Sequence, residues 1–264
     1  MNSASLSSFS MYVVSHKDFD PPAIDGYTPI AVGSLAIDPC CAFVRDNTGD
    51  NISAKNPNYC ELTALYWIWK NDLSSDVIGF CHYRRYFSTS PICCNASCFL
   101  TGANASKTLL SHDLILPSPF YWPTRTVGEN YYLGGMGHEE DLRVTRDVVA
   151  ELTPEYLAAF DGVMISQSAS YCNMLVAPRR LFDEYCLWLF SVLAEVEKRI
   201  DISCYSVQEA RVFGYLSELL LNVWVSRNSL SAALLPVVNP ERGFRGNAFD
   251  RLKNFRDKVK TRRG

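Results

Sequence analysis

The sequence predicts an α/β fold with a central, mostly parallel sheet flanked by helices. Short apolar runs that end in polar residues alternate with longer segments whose apolar residues recur at helical spacing. Such alternation is typical of parallel strands joined by helical crossovers. The chain has 264 residues, of which 48% are hydrophobic and 20% are charged, so a large core can form and general disorder is excluded.

Four apolar runs are predicted as strands. The first run is followed by His16, and the second ends at a histidine, a tyrosine and two arginines. The fourth contains one polar residue, Asn173, which is either a satisfied core amide or a ligand contact. The four predicted strands cover residues 11–15, 76–81, 113–117 and 171–177.

Helices are predicted between and after these strands. Asn56 followed by Pro57 is typical of a helix start, with Asn as the N-cap and Pro at the first helical position. Two long helices, strongly apolar on one side, are predicted at residues 179–199 and 206–227. The Cys-, Asn- and Ser-rich residues 88–111 are predicted to form an irregular insertion or a lid.

Composition excludes several classes of protein. The net charge of −3 and the pI near 5.8 argue against a nucleic-acid partner. No apolar run reaches the roughly 18 residues of a membrane span, and the polar first ten residues do not have the pattern of a signal peptide. Ten cysteines without a CxxC motif in a chain of this length predict reduced thiols and a cytoplasmic protein.

The end of the chain has a different charge from the rest. Residues 241–264 contain nine basic and three acidic side chains, a net charge of +6. Phe249, Leu252, Phe255 and Val259 recur at helical spacing, which predicts a basic amphipathic helix. Its apolar stripe either packs on the body of the protein or contacts an anionic membrane surface.

Polar side chains that follow the first two strands are the first candidate site, because ligands of parallel sheets bind beyond the carboxyl ends of the strands. Arginine forks match phosphate oxygens, so two adjacent arginines here indicate an anion site; a structural pairing with buried acids is the alternative. These candidates are His16, Lys17, His82, Tyr83, Arg84 and Arg85.

Two further groups of residues are candidates for catalytic or structural roles. His138 and Asp141 follow a glycine-rich turn at a helix start, where an acid either compensates the helix dipole or acts as a general base. Arg211 and Glu218 are seven residues apart on one predicted helical face, and we expect them to pair, directly or through a third group.

Residues 51–71 and 78–87, the latter with the run His-Tyr-Arg-Arg, resemble the signature of a bacterial capsular and exopolysaccharide biosynthesis family. That family was long labelled a domain of unknown function. The resemblance extends through residues 12–17, 138–142, 172–174 and 211–218, and so covers about residues 11–227. The family resembles GT-A glycosyltransferases, and it includes a galactofuranosyltransferase that uses UDP-galactofuranose.

The resemblance implies a GT-A-like glycosyltransferase domain at residues 1–240, followed by the basic tail at 241–264. It implies a UDP-sugar donor, with UDP-galactofuranose favoured, and a lipid-linked or oligosaccharide acceptor. The alternatives are another UDP-hexose as donor, or a non-catalytic module that binds nucleotide sugars or glycans. We expect donor contacts from His16, Lys17, Asn56, His82, Tyr83, Arg84, Arg85 and Asn173.

The expected mechanism needs neither metal nor cofactor, because arginines rather than an Asp-x-Asp pair follow the second strand. We expect inversion by single displacement, with Asp141 as the first candidate for the base and His138 as the second. A cytoplasmic enzyme with a basic tail is further expected to lie peripherally at the inner face of the cell membrane.

Overall fold

A seven-stranded sheet runs through the centre of the computed structural model, which describes residues 8–90, 93 and 95–262. The predictions for residues 1–7 therefore lie outside the described residues. The strands are β1 (Phe9–Ser15), β2 (Tyr27–Ala31), β3 (Val44–Arg45), β4 (Val77–His82), β5 (Tyr86–Phe87), β6 (Leu114–Pro117), β7 (Phe120–Tyr121), β8 (Ser168–Ala169), β9 (Leu175–Pro178), β10 (Ala232–Leu235) and β11 (Val237–Val238).

Helices separate most of these strands along the chain, as the sequence predicts. They are α1 (Ser34–Ile37), α2 (Asn56–Tyr59), α3 (Leu62–Asn71), α4 (Gly102–Leu109), α5 (Val127–Leu133), α6 (Glu139–Leu152), α7 (Leu157–Ile165), α8 (Arg179–Glu197), α9 (Val212–Arg227) and α10 (Gly243–Thr261).

The strand order of the sheet is β10-β6-β9-β4-β1-β2-β3. Strand β9 runs antiparallel to its neighbours β4 and β6, whereas the other pairings are parallel. The predicted fold class, a mostly parallel sheet flanked by helices, is confirmed. Because β9 is reversed, its first residues lie at the same edge as the carboxyl ends of the parallel strands.

Side-chain alternation along β1 divides the core into two layers. Tyr12 and Val14 pack with α3, α8 and α9 on one face of the sheet, whereas Met11 and Val13 pack with α4, β5 and β11 on the other. On the second face, the Met11 side chain occupies the space beside Gly79 of β4. A Cβ at Gly79 would lie 2.6 Å from the Met11 sulfur. Burial on both faces explains why the predicted strands are almost continuously apolar.

Three element predictions are wrong in detail. Residues 171–174 are not part of the fourth strand, because Cys172 and Asn173 have left-handed backbone with φ of 77° and 51°. Asn56 is the first residue of α2 rather than its N-cap, which is Lys55. The second long helix begins at Val212, six residues after the predicted start, and a 3-10 turn precedes it.

Residues 88–111 are not an irregular lid where the structure describes them. They contain α4 and a 3-10 turn, and the buried Leu100 accepts a hydrogen bond on its carbonyl from the Tyr27 hydroxyl over 2.9 Å. These residues belong to the layer that covers the second face of the sheet. Residues 91, 92 and 94 of this segment lie outside the described residues.

Within the basic tail, Gly243–Thr261 form the predicted helix, α10, and residues 263–264 lie outside the described residues. Its polar side meets the body: Asn254 accepts a hydrogen bond from the Tyr121 backbone N–H over 3.2 Å and donates one to the Pro119 carbonyl over 2.9 Å. Phe249, Leu252 and Phe255 point outward and are 65%, 70% and 66% exposed. In the part of the chain that the structure describes, no helix is both long and apolar enough to cross a bilayer.

Candidate functional site

A cavity of about 560 Å³ opens at the carboxyl ends of β1, β2 and β4. The ends of these strands supply one part of its wall, and the starts of α2, α3 and α9 supply the other. Its position follows the general rule for ligand sites in parallel sheets. The polar side chains that line it are those of Ser15, His16, Ser34, Asn56, Cys60, Glu61, His82, Tyr83, Arg84, Arg85, Arg211, Tyr215 and Glu218.

Residues 82–85 reach the cavity because they form a tight turn between β4 and β5. The Arg85 N–H donates to the His82 carbonyl over 3.0 Å, and the His82 N–H donates to the Arg85 carbonyl over 3.2 Å. The Tyr83 N–H donates to the carbonyl of Val14 in β1 over 3.0 Å, which ties the turn to the neighbouring strand. The backbone bonds therefore hold all four side chains at the cavity wall.

The two arginines of this turn lack acidic partners. Among the described residues, no carboxylate lies within 4.0 Å of the guanidinium of Arg84 or Arg85, and neither group donates a hydrogen bond. The alternative expectation, that the two arginines pair with buried acids, is therefore wrong. A partly buried guanidinium without a partner favours an anionic ligand, and two adjacent ones suit a diphosphate.

The surroundings lower the pKa of both histidines of the site. The pKa of His82 is lowered, mainly because the ring is buried, although the charge of Glu61 opposes that shift. Its Nε2 lies 2.7 Å from the Cys172 carbonyl, so Nε2 carries the hydrogen and donates it. The pKa of His16 is also lowered, by burial and then by the charge of Arg84.

Two carboxyl groups, those of Glu61 and Glu218, face the same cavity. Burial, followed by the nearby charge of Glu61, raises the pKa of Glu218 to about 8. The Cys172 backbone N–H donates to Glu218 Oε1 over 2.9 Å, so one residue's backbone holds both His82 and Glu218. Glu61 was not among the residues expected from the sequence, and its place two residues after the end of α2 was the available signal.

Asn173 lies beneath this pair rather than on the cavity wall. It is 1% exposed, and its Nδ2 donates to Glu61 Oε1 over 2.8 Å and to the Gly214 carbonyl over 3.1 Å. Its Oδ1 accepts a hydrogen bond from the Ser217 hydroxyl over 2.9 Å. The amide is therefore fully used within the protein, and it positions Glu61.

Asn56 and Lys17, both predicted donor contacts, occupy different places. Asn56 lines the cavity, and its Nδ2 donates to the Cys60 carbonyl and to Thr63. Lys17 lies outside the lining: its exposed Nζ is 3.8 Å from a carboxylate oxygen of Glu241 and 4.9 Å from the centre of the Tyr83 ring.

Arg211 and Glu218 do not pair directly, and a pairing through a third group stays a prediction. Both side chains line the cavity, but in the described part of the chain they form no ion pair within 4.0 Å. Arg211 precedes α9 instead of lying on it, and its Nε donates to the sulfur of Cys60 over 3.1 Å. The cavity therefore gains a third guanidinium without a carboxylate in direct contact.

Asp141 has a structural position outside the cavity lining. It is 0% exposed, and its carboxylate accepts hydrogen bonds from the hydroxyls of Tyr131 and Tyr205 and from the His138 backbone N–H. The His138 ring packs at a tilt against the Tyr205 ring, and its Nε2 lies 3.2 Å from Glu209 Oε1. The roles predicted for Asp141 and His138 in catalysis stay predictions, but the structure does not bring either residue to the arginines.

Reduced thiols border the site. Cys60 and Cys172 are free, as are the buried Cys81 and Cys186. Burial raises the pKa of the Cys60 thiol to about 11, so it is protonated near pH 7. Among the described residues, no group of three or more His, Cys, Asp or Glu side chains is arranged to hold a metal ion.

Comparisons with known proteins place this architecture in a family. Residues 10–229 match the family described as a domain of unknown function, DUF4422. A search of the solved structures finds a bifunctional glycosyltransferase, WbbM, in its apo form, with a TM-score of 0.82 and 30% identity. That match covers 88% of this chain and 45% of the WbbM chain, so this chain spans less than half of that protein. No curated protein matches the sequence.

Proposed function

The chain belongs to the DUF4422 family, and on that premise we propose that it is a glycosyltransferase that uses a UDP-sugar donor. The observation that carries the proposal is the cavity with three guanidinium groups that lack directly paired carboxylates, in a fold shared with a bifunctional glycosyltransferase. We assign transfer to residues 1–240 and a separate role to the tail at residues 241–264, within which Gly243–Thr261 form the surface helix α10.

The proposed donor is UDP-galactofuranose, and the acceptor is a glycan of a bacterial surface polysaccharide. The support for this sugar is the family resemblance of residues 51–71 and 78–87. The free thiols of Cys60, Cys81 and Cys172 are consistent with the proposed cytoplasmic location.

In the proposed reaction, Arg84 and Arg85 bind the diphosphate and stabilise the charge that develops on the departing UDP. Arg211, on the opposite wall, adds a third positive charge. In other transferases a metal ion stabilises the charge on the departing diphosphate. Because the arginines can do this here, we propose that the enzyme acts without a metal ion. The acceptor hydroxyl attacks the anomeric carbon as the bond to UDP breaks, which inverts that centre.

The attacking hydroxyl must lose its proton, and we assign this step to Glu218. Its carboxyl group faces the cavity, and a pKa of about 8 makes its carboxylate a stronger base than an ordinary glutamate. Asp141, the candidate from the sequence, is the alternative base. Its hydrogen bonds to two tyrosines and a backbone N–H oppose that role.

The test is calorimetric titration with UDP in EDTA, followed by a transfer assay with several UDP-hexoses and synthetic lipid-linked acceptors. We expect metal-free UDP binding and transfer from one donor with release of UDP. Binding only after Mn²⁺ is added would overturn the arginine argument. UDP binding without transfer to any acceptor would instead indicate a nucleotide-sugar-binding module, and no binding in either condition would overturn the proposal.

A further inference from the structure

Helix α10 presents its apolar residues to solvent, which is the reverse of ordinary packing. Phe244 is 59% exposed, and Phe249, Leu252 and Phe255 are each more than 60% exposed. At 3.6 residues per turn these four side chains fall within an arc of about 140°. We call Phe244, Phe249, Leu252 and Phe255 the outward stripe.

The opposite side of the helix is polar, and it is this side that holds the helix in place. Asn247 is 6% exposed and exchanges hydrogen bonds with the backbone of Asn239, each over 2.8 Å. Asn254 bonds the backbone around β7, and the ammonium of Lys258 lies 5.6 Å from the Tyr121 ring centre. The outward stripe is therefore a consequence of specific polar contacts on the other face.

Basic side chains surround the outward stripe. Among the described residues of α10 and the position after it, the exposed basic residues are Arg245, Lys253, Arg256, Lys260 and Arg262. The two acids of the helix turn toward other contacts: Asp250 pairs with Arg242 over 2.6 Å, and Asp257 is largely buried beside Arg256. The outer face of α10 thus combines large apolar side chains with an excess of positive charge.

We propose that α10 docks the protein on an anionic lipid surface. The outward stripe would enter the boundary between headgroups and acyl chains, and the basic side chains would contact lipid phosphates. Each basic residue near such a surface is attracted to the anionic headgroups, and aromatic side chains favour the interface. A second copy of this chain is a poorer occupant, because two such faces would bring at least five positive side chains from each copy together.

The docking helix starts close to the cavity. Glu241, two residues before α10, is the partner of Lys17, and Lys17 directly follows the cavity residue His16. If the proposed transferase function holds, docking brings the cavity close to lipid-linked glycans. The docking inference itself does not depend on that function, since lipid binding is measured without turnover.

Vesicle flotation of the full chain tests the inference. We expect partition onto vesicles with about a third phosphatidylglycerol to exceed that onto neutral phosphatidylcholine by at least about tenfold, and to weaken with salt. The variant Phe249→Ser/Leu252→Ser/Phe255→Ser is expected to reduce partition about tenfold or more. All three side chains are exposed, so the fold should be kept, which circular dichroism and UDP titration would check.

The matched control is Leu73→Ser/Leu110→Ser, which removes two side chains that are 84% and 88% exposed elsewhere on the surface. The control should float like the parent protein. Equal flotation of the α10 variant and its parent would overturn the inference, as would failure of the parent to bind anionic vesicles. A different result would identify a second copy of the chain as the occupant: the parent and the control sediment as dimers, the α10 variant sediments as a monomer, and none of them binds vesicles.

Discussion

The amide of Asn173 donates a hydrogen bond to the carboxylate of Glu61 over 2.8 Å, although the two residues are 112 positions apart. This contact joins the turn before the antiparallel strand β9 to the start of α3. Asn tolerates the left-handed backbone that the turn requires, with φ of 51° at this position. The turn that leads into the antiparallel strand β9 therefore helps to orient the carboxylate of Glu61 in the cavity.

Replacing this amide should disturb the cavity and the fold together. We expect Asn173→Ala to lower the free energy of unfolding by about 2 kcal/mol, because the Gly214 carbonyl and the Ser217 hydroxyl lose a buried partner. We also expect weaker transfer in the folded protein, since Glu61 is released. Asn228→Ala is the control, because that amide bonds at the far end of α9. Unchanged stability and turnover in Asn173→Ala would contradict the positioning role.

Some of this site was predictable from sequence, and particular residues show why. Residues 82–85 and His16 follow apolar strands, and the carboxyl edge of a parallel sheet brings such residues together. Asn173 reaches the same region because β9 is antiparallel, and a single apolar run does not reveal strand direction. Glu61 was missed because an acid near a helix start has an adequate local explanation in the helix dipole.

Two further features depended on information that sequence periodicity does not contain. Arg211 and Glu218 have the spacing of one helical face, but the α-helix begins after Arg211, so that periodicity does not apply. The prediction of an amphipathic helix at α10 was correct, but the pattern does not reveal which face of the helix packs on the body of the protein. Asn247 and Asn254 decide the orientation through hydrogen bonds to residues that sequence periodicity does not address.

The arginines of the turn should control nucleotide affinity. We expect Arg84→Ala and Arg85→Ala each to weaken UDP binding in EDTA by about 10- to 100-fold, because each loses a charge-assisted contact to phosphate. Titration calorimetry measures the change. Arg180→Ala is the matched control: its guanidinium pairs with Glu184 on the exposed side of α8. Wild-type affinity in both turn variants would show that the diphosphate binds elsewhere.

Asp141 should prove to be a structural residue. Asp141→Ala leaves the Tyr131 hydroxyl, in a fully buried side chain, without its acceptor, so we expect a loss of about 2–4 kcal/mol in unfolding free energy. Asp147→Ala, which breaks an exposed ion pair on the same helix, should cost about 0.5 kcal/mol or less. Urea denaturation compares the two variants.

The more conservative Asp141→Asn separates structure from catalysis. We expect the folded variant to keep turnover within a few-fold of the parent. A large loss of kcat at unchanged stability would instead restore Asp141 as the base.

Glu218 should set the pH dependence of transfer. A base with a pKa of about 8 is mostly protonated at pH 7, so kcat/KM should rise with pH and level off above about pH 8. Glu218→Gln should lose about 10²- to 10⁴-fold in kcat and should also lose this acidic limb. UDP affinity in the same variant should change little. An unchanged pH profile in Glu218→Gln would assign the base to another residue.

The same carboxyl group should also leave a signature in stability. Its pKa is raised on folding from 4.5 to about 8, mainly by burial, so the folded state holds a proton that the unfolded state releases. The associated stability is fully present below about pH 4.5 and is lost as pH rises through about 8.

The variant Glu218→Gln tests this, because glutamine stays neutral and can still accept the hydrogen bond from the Cys172 N–H. Glu218→Gln should therefore nearly match the parent near pH 5 and exceed it by roughly 4 kcal/mol near pH 9. Urea denaturation at both pH values measures this, with the exposed Glu184→Gln as control. If Glu218→Gln gains nothing on going from pH 5 to pH 9, the cavity arginines already stabilise the ionised form, and burial does not make Glu218 the base.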